Sequence, residues 1–430
     1  MSGAVAAHAA YNGSGTQGLA VTNKVHDDEG DVMSVFWNKN DTTRQLLYGA
    51  AVLEIPTSGG GEATFGGSQI FTVNNDIDCL GDIFAEVIIT PSSSIATIVN
   101  FGLAAVIDRV EFQVGTQIWQ TLDSSDVLAV LNTELSEGAY KRFAIQANGW
   151  TSTDVNNAHR AAKATRVLSG ATWDTAIAYI HLPVLTKTLA PSLAKFANQT
   201  EDGYPMAAAP HQSVKIKLTY GTSASVCESD TAPSISVKLF AQHMIMCNEE
   251  RQQMKSMPQG LPKRLKMTQN STVATDNSET IYNLDLDHFS LYASHLIISV
   301  DSTSDDEWKN GLKFAELKLN SSSYSGVLRG PLLEGCAAES LGLYNNQFFA
   351  MKLPTTETNH NIPQPQGCGN YIFPLASRAY GGSSVPLNRF DNIRLSLTFA
   401  QAPEAGWINV TCCGETTALF KGGAASLAMY

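Results

Sequence analysis

Charge is scarce in this chain, and basic charge is the scarcest kind. Asp, Glu, Lys and Arg make up 16% of its 430 residues, against roughly 25% in soluble domains. Lys plus Arg number 28 against 40 Asp plus Glu, a formal net charge of −12. That balance excludes a general basic footprint for phosphate backbones, so no direct nucleic acid binding is expected. Long apolar runs are missing as well. No stretch approaches the roughly 18 residues of a membrane-crossing helix, so no membrane-spanning segment is expected. Residues 1–21 lack the basic start and apolar core of a secretory signal, the first lysine being Lys24, which predicts synthesis in the cytosol.

The motifs of catalysis and metal binding are missing too. Neither GxSxG nor HExxH occurs, no paired-carboxylate motif stands out, and the nine histidines show no metal-ligand spacing. The run Gly59, Gly60, Gly61 has no GK[ST] ending and is a loop rather than a phosphate cradle. His26, Asp27, Asp28, Glu29 and Asp31 cluster, but without the alternating oxygens and distal Glu of a calcium loop they read as a solvated turn. Lys263, Arg264 and Lys266 read as a solvated basic patch. Seven cysteines (Cys79, Cys227, Cys247, Cys336, Cys368, Cys412 and Cys413) include no CxxC pair and read as buried free thiols. Adjacent Cys412 and Cys413 must point to opposite faces of a strand. No catalytic, cofactor-binding or metal residue is assigned, no cofactor is expected, and the chain reads as a non-enzyme. A glycosidase could still draw its two carboxylates from distant strands.

What the sequence does have is short apolar alternation. Leu46 to Ile55, Gln69 to Val73, Ile83 to Thr90, Arg109 to Val114, Val214 to Tyr220 and Ile235 to Phe240 read as strands in the first half. Leu284 to Leu291, His295 to Val300, Gly311 to Asn320, Tyr371 to Leu375, Asn392 to Phe399 and Trp407 to Cys413 read so in the second. One helix is well signalled. Asp123 can cap it, Asp126 favours its dipole, Val127, Leu128, Leu131 and Leu135 form its stripe, and Gly138 can end it. A second short helix is expected from Pro191 through Phe196. Residues 136–176 and 321–370 read as long excursions serving contacts.

Between the halves lies the polar, helix-prone run Asn248 to Pro262, broken by Pro258, Gly260 and Pro262. It divides the chain into an arm (1–30), a first domain (31–247), a linker (248–262) and a second domain (263–430). VKIKLTY in the first half matches IRLSLTF in the second, and RVEFQVG matches FAELKLN, in the same order. About 180 to 220 residues per half, with helices confined to connections, predicts an all-β protein of two tandem eight-stranded antiparallel jelly rolls, a double jelly roll.

Several local patterns then fall in a shared order: Gly81-Asp82 before the strand Ile83 to Thr90; Val110 to Trp119 before the capped helix; Leu182-Pro183, Leu189 to Leu193 and His211 to Leu218; Glu250-Arg251 at the joint. Later come Tyr371 to Phe373, the loop Gly381 to Pro386, Asn388 to Phe399, and the ending Leu427, Ala428, Met429, Tyr430. In this order the chain resembles the major capsid proteins of the nucleocytoplasmic large DNA viruses. It departs from that pattern at AYIHLPVLTKTLAP and GGSSVP, which leaves the subgroup open.

The resemblance implies a homotrimer whose six jelly rolls form a pseudo-hexameric capsomer of an icosahedral shell. It implies neighbouring capsomers, minor capsid and penton proteins as partners, assembly in host cytoplasm, location in the virion and proximity to an internal viral membrane. A minor capsid protein of the same fold is the alternative, as is a carbohydrate-binding adhesin using Trp150, Trp173, Trp308 or Trp407, which are better read as core or interface residues. Six Asn-x-Ser/Thr sequons, at Asn12, Asn40, Asn198, Asn270, Asn320 and Asn409, are ascribed to chance in an Asn-, Ser- and Thr-rich chain.

Overall fold

The computed structural model describes residues 49–58, 61–74, 77–90, 96–98, 101–147, 166–168, 176–184, 203–227, 233–245, 251–252, 261–302, 311–346, 369–380, 384–403 and 405–427. Eight strands build the first sandwich: β1 Gly49–Ile55, β2 Ser68–Val73, β3 Cys79–Thr90, β4 Ile107–Val114, β5 Gln117–Asp123, β6 Ala176–Leu182, β7 Val214–Tyr220 and β8 Ser234–Ile245. They form two antiparallel sheets, ordered β1-β8-β3-β6 and β2-β7-β4-β5. The alternation in β7 shows why: Val214, Ile216, Leu218 and Tyr220 are buried while Lys215, Lys217 and Thr219 are half-exposed.

The second sandwich repeats the plan. Its strands are β9 Leu261–Thr275, β10 Ile281–Asp285, β11 Tyr292–Ser302, β12 Leu312–Leu319, β13 Ser322–Ser323, β14 Gly369–Pro374, β15 Ile393–Phe399 and β16 Gly406–Lys421. The sheets run β9-β16-β11-β14 and β10-β15-β12-β13. Adding eight to each strand number of the first sandwich reproduces the second, which is the jelly-roll order twice over. The repeats legible in the sequence fall on equivalent strands, VKIKLTY and IRLSLTF on β7 and β15, RVEFQVG and FAELKLN on β4 and β12. A short β17, Ala424–Leu427, folds back on β16.

The two apolar cores merge into one cluster. Tyr204 bridges them, packing edge-on to Phe420 at 5.4 Å and to Trp119 at 5.7 Å between ring centroids. The C-terminal turn ties back to the first sandwich, with His211 N donating to Gly423 O and Ala425 N to Gln212 Oε1.

Helices occupy connections. α1 is Gly102–Ala105, α2 Ser124–Glu134 and α3 Glu137–Ala147, while α4 Gly330–Glu334 and α5 Cys336–Leu341 follow β13 in the second sandwich. α2 is the helix capped by Asp123, with a complete capping box to Asp126. It ends at Leu135 in extended backbone rather than at Gly138, which lies inside α3. The 136–176 excursion therefore opens with a helix, whose Tyr140, Phe143, Ala144 and Ala147 join the core. Leu284 to Leu291 is not one strand. β10 stops at Asp285, and a turn closed by Phe289 N to Leu286 O follows, because Leu286 and Phe289 point inward at a spacing of three. The expected helix at Pro191 to Phe196 and the arm lie outside the described residues.

Each sandwich carries a bulge between the same pair of strands, at Ala241/His243 against β3 and at Ala293/His295 against β16. A glycine faces each bulge. Gly81 lies against Gln242, and Gly414 lies so close to β11 that a Cβ would fall inside contact distance of Tyr292 O and 2.9 Å from Ala293 Cα. Backbone cannot yield there as a flexible side chain could. Gly414→Ala is expected to destabilise the fold by about 2 kcal/mol through this overpacking, read as a lower denaturation midpoint; an unchanged midpoint would mean that the bulge gives way freely.

Candidate assembly interface

Among the described residues no three His, Cys, Asp or Glu side chains gather as a metal site. The dense chemistry lies instead where α2 crosses from the first sandwich onto the outer face of sheet β9-β16-β11-β14. One side of α2, Val127 and Leu131, enters the main core. The other side sets Ala129 and Val130 against Ile297 and Ile372 on the sheet, Leu341 of α5, Tyr380 and Cys413. Cys412 faces the opposite way into the main core, so the two adjacent thiols do point to opposite faces. Both are buried because both faces of β16 are covered.

Two carboxylates on α2 are fully buried in this joint. Asp126 Oδ1 accepts from Asn409 Nδ2 at 2.9 Å and Thr411 Oγ1 at 2.6 Å, and Oδ2 accepts from Asn270 Nδ2 at 2.7 Å and Asp123 N at 3.1 Å. Burial pushes its pKa up, and these hydrogen bonds pull against that rise. Glu134 receives the Lys266 ammonium on both oxygens and the Tyr380 hydroxyl on Oε1 at 2.7 Å. The same ammonium stands 4.3 Å over the Tyr380 ring centroid.

The rest of the joint satisfies the carbonyl end of α2. Asn346 Nδ2 donates to the carbonyls of Asn132 and Leu135, and Tyr344 N to that of Thr133, so groups from the second half cap a helix of the first. Alongside, Gln120 Nε2 on edge strand β5 donates to Thr268 Oγ1 on edge strand β9 at 2.8 Å. His295 lies beneath, wholly buried and edge-on to Tyr380 at 5.7 Å, with Nδ1 2.8 Å from Ser294 Oγ. Burial lowers its pKa to about 4; Glu134 opposes that shift and Lys266 adds to it. Burial first, then the Glu134 charge, raises the Cys413 thiol to about 12.

Several sequence expectations meet their outcome here. Lys266 is not part of a solvated patch: it is 9% exposed and paired with Glu134, because the face of β9 that looks free in sequence is the one α2 covers. Arg264 stays at the surface near Glu415. Cys79 and Cys227 are buried outside any disulfide, like the adjacent pair, whereas Cys336 is exposed, and Cys247 and Cys368 lie outside the described residues. Trp407 is 54% exposed rather than packed within the chain; Trp150, Trp173 and Trp308 lie outside the described residues. Of the Glu250-Arg251 pair, Arg251 grips the buried Asp78 at the start of β3 through Nε and Nη2.

No family model matches the sequence, and no curated protein matches it. The likeness to solved structures is one of fold. PBCV-1 VP54, fitted into a reconstruction of the virophage Sputnik, has a TM-score of 0.67 at 12% identity over 93% of this chain and 99% of that one. A PBCV-1 virus capsid model gives 0.66 at 13% over 93% and 99%. The Faustovirus major capsid protein gives 0.61 at 8% over 92% and 94%. Together with the strand order, these matches make the fold a double jelly roll, as expected from the alternation and repeats.

Removing one partner of the buried pair strands the other charge. Lys266→Met is expected to cost about 3–5 kcal/mol in denaturant unfolding, and the double variant Lys266→Met, Glu134→Leu to recover most of that. Additive losses would mean that the two groups do not act as a pair.

Acid should weaken the joint by a separate route. The unfolded chain protonates His295 near the ordinary 6.5 while the folded chain refuses the proton until about 4. Stability is therefore lost as pH falls through that window, by at most about 3 kcal/mol. Asp126, with its raised pKa, works in the opposite sense and regains stability on protonation. His295→Leu should flatten the loss measured between pH 6.5 and 4; an unaltered slope would place the sensitivity elsewhere.

Proposed function

We propose that this chain is a structural capsid protein, acting by assembly rather than catalysis, and that three copies form a pseudo-hexameric capsomer of an icosahedral DNA virus shell. One observation carries the reading. Two sandwiches of identical strand order are joined side by side through a deeply buried interface, in a fold shared nearly end to end with proteins of the PBCV-1 and Faustovirus capsids. A pair of like units per chain makes six units from three copies. The domains are 31–247 and 261–430, joined through 248–260, with 1–30 as an arm; Leu261 and Pro262, expected in the linker, already belong to β9. The partners are copies of this chain, neighbouring capsomers, and minor capsid and penton proteins, in a virion assembled in host cytoplasm, with an internal viral membrane close beneath the shell.

Upright sandwiches also hide their open strand edges against neighbours in such a tiling. The acidic balance of the chain suits a shell that holds its genome by enclosure rather than by contact.

Sedimentation of the purified full chain tests the reading. A stable species of three chains of 46.1 kDa each is expected. A monomer at every concentration would overturn the trimeric capsomer.

A further inference from the structure

His295 is the buried titratable group that assembly leaves unused. It sits on β11 beside the bulge, across from Cys413 of β16, and has no exposure at all. Ser294 Oγ donates to Cys413 O at 3.1 Å and lies 2.8 Å from His295 Nδ1, so it accepts from Nδ1–H and leaves Nε2 as the bare nitrogen. Nε2 has no hydrogen-bond partner among the described residues. A neutral ring tolerates that at modest cost; a protonated one must donate from both nitrogens and cannot. The charged and titratable groups packed around the ring are Glu134 from α2, Lys266 from β9, Cys413 from β16 and Tyr380 from the turn after β14. Glu134 already holds the Lys266 ammonium on both oxygens and the Tyr380 hydroxyl. A second cation there meets an acceptor that is taken.

The joint is also separable from the rest. Ala129 and Val130 of α2, with Ile297, Ile372, Tyr380 and Cys413, belong to an apolar cluster distinct from the main core. The main core joins the sandwiches independently, through Tyr204 against Phe420. The outer side of α2 can therefore leave the sheet as a local opening that spares both sandwiches.

We propose that this joint is an acid-operated latch: a proton taken by His295 Nε2 parts α2 from sheet β9-β16-β11-β14 while both sandwiches stay folded. Opening admits water to Nε2 and so gives the new cation an acceptor. The closed joint refuses the proton until about 4. With the opened joint taking it at the ordinary 6.5, the open form gains about 25-fold between about pH 7.5 and about pH 5. Asp126 acts in the opposite sense, since its raised pKa means that protonation steadies the closed joint. The latch needs no partner and does not rest on the capsid reading.

The adjacent thiols report on the latch, because Cys412 faces the main core and Cys413 the joint. Full-length Cys412→Ala and Cys413→Ala each leave one of them, and exposed Cys336 in the same chain calibrates the reagent, a dipyridyl disulfide that labels thiols in mild acid. Labelling of Cys413 relative to Cys336 is expected to rise at least about tenfold from about pH 7.5 to about pH 5, while Cys412 stays shut. Adding His295→Leu, with Asp126 untouched, should remove the rise. The wild-type chain supplies a second readout. The Tyr344 amide, which donates to Thr133 O across the joint, should lose hydrogen-exchange protection in acid while the amides of β7 keep theirs, and this readout decides alone where a variant does not fold. Equal rises at Cys412 and Cys413, no rise at Cys413, a rise that survives His295→Leu, or a Tyr344 amide that stays protected would each overturn the latch.

Discussion

The structure turns on placing an ammonium and a carboxylate out of water at one spot between the sandwiches. Lys266 and Glu134 meet where neither retains useful hydration, so each depends on the other and on the Tyr380 hydroxyl and ring. Such a pair adds little net stability over a well-packed apolar substitute, since desolvation offsets much of the attraction. What it adds is direction. Ala129 and Val130 against Ile297 and Cys413 form a smooth apolar contact that many sliding arrangements would satisfy equally well. Glu134 over Lys266 and Asp126 among Asn270, Asn409 and Thr411 are satisfied in one arrangement only.

That constraint propagates outward. With α2 held on the sheet, its open carbonyl end is capped by Asn346 and Tyr344 of the second half, so the connection carrying α4 and α5 is drawn to the same joint. Elsewhere, Arg251 grips Asp78 and the turn after β16 bonds His211 and Gln212. Two separate ties thus cross between the halves, and Arg251 holds the linker to the first. The two sandwiches are thereby tied into one block with a shared apolar core.

Much of the fold was legible because half-buried strands write their environment into every second residue. The matches VKIKLTY with IRLSLTF and RVEFQVG with FAELKLN landed on equivalent strands because equivalent strands face equivalent cores. The joint was not legible, for a physical reason. Lys266 alternates with Leu265 and Met267, as a lysine on a wetted strand face does, and the carboxylate that keeps it dry lies 132 residues away. On α2 the Val127–Leu131 stripe announced a helix with one buried side. Asp126 was read only as favouring the helix dipole, and the spacing of Ala129, Thr133 and Glu134 carried no sign of a second buried side. α3 was missed because Lys141, Arg142 and Gln146 dilute its apolar residues, and Gly138 was taken for a stop.

The inner joint and the outer face β1-β8-β3-β6 are built differently. The inner joint closes as the chain folds, with its halves tethered. It can therefore afford buried ionic groups, whose strict geometry selects one docking arrangement. The outer face is open on the single chain, with Ile177 and Tyr179 about half exposed. Its rows interleave Glu86 and Lys238 with Tyr179, and Ser236 with Ile88 and Ile177, so that aromatic and aliphatic groups share a wettable surface. No ammonium there is sealed as Lys266 is; the Lys238 side chain is 49% exposed and stands 4.0 Å from Glu54, an arrangement worth little to stability. A contact made from such a face draws on apolar area and shape, and it can open and close again. Shell units that join reversibly can discard misplaced neighbours, provided each unit is itself unyielding. In this chain the buried ionic joint fixes how the sandwiches meet, while the outer face β1-β8-β3-β6 keeps charged and apolar groups interleaved.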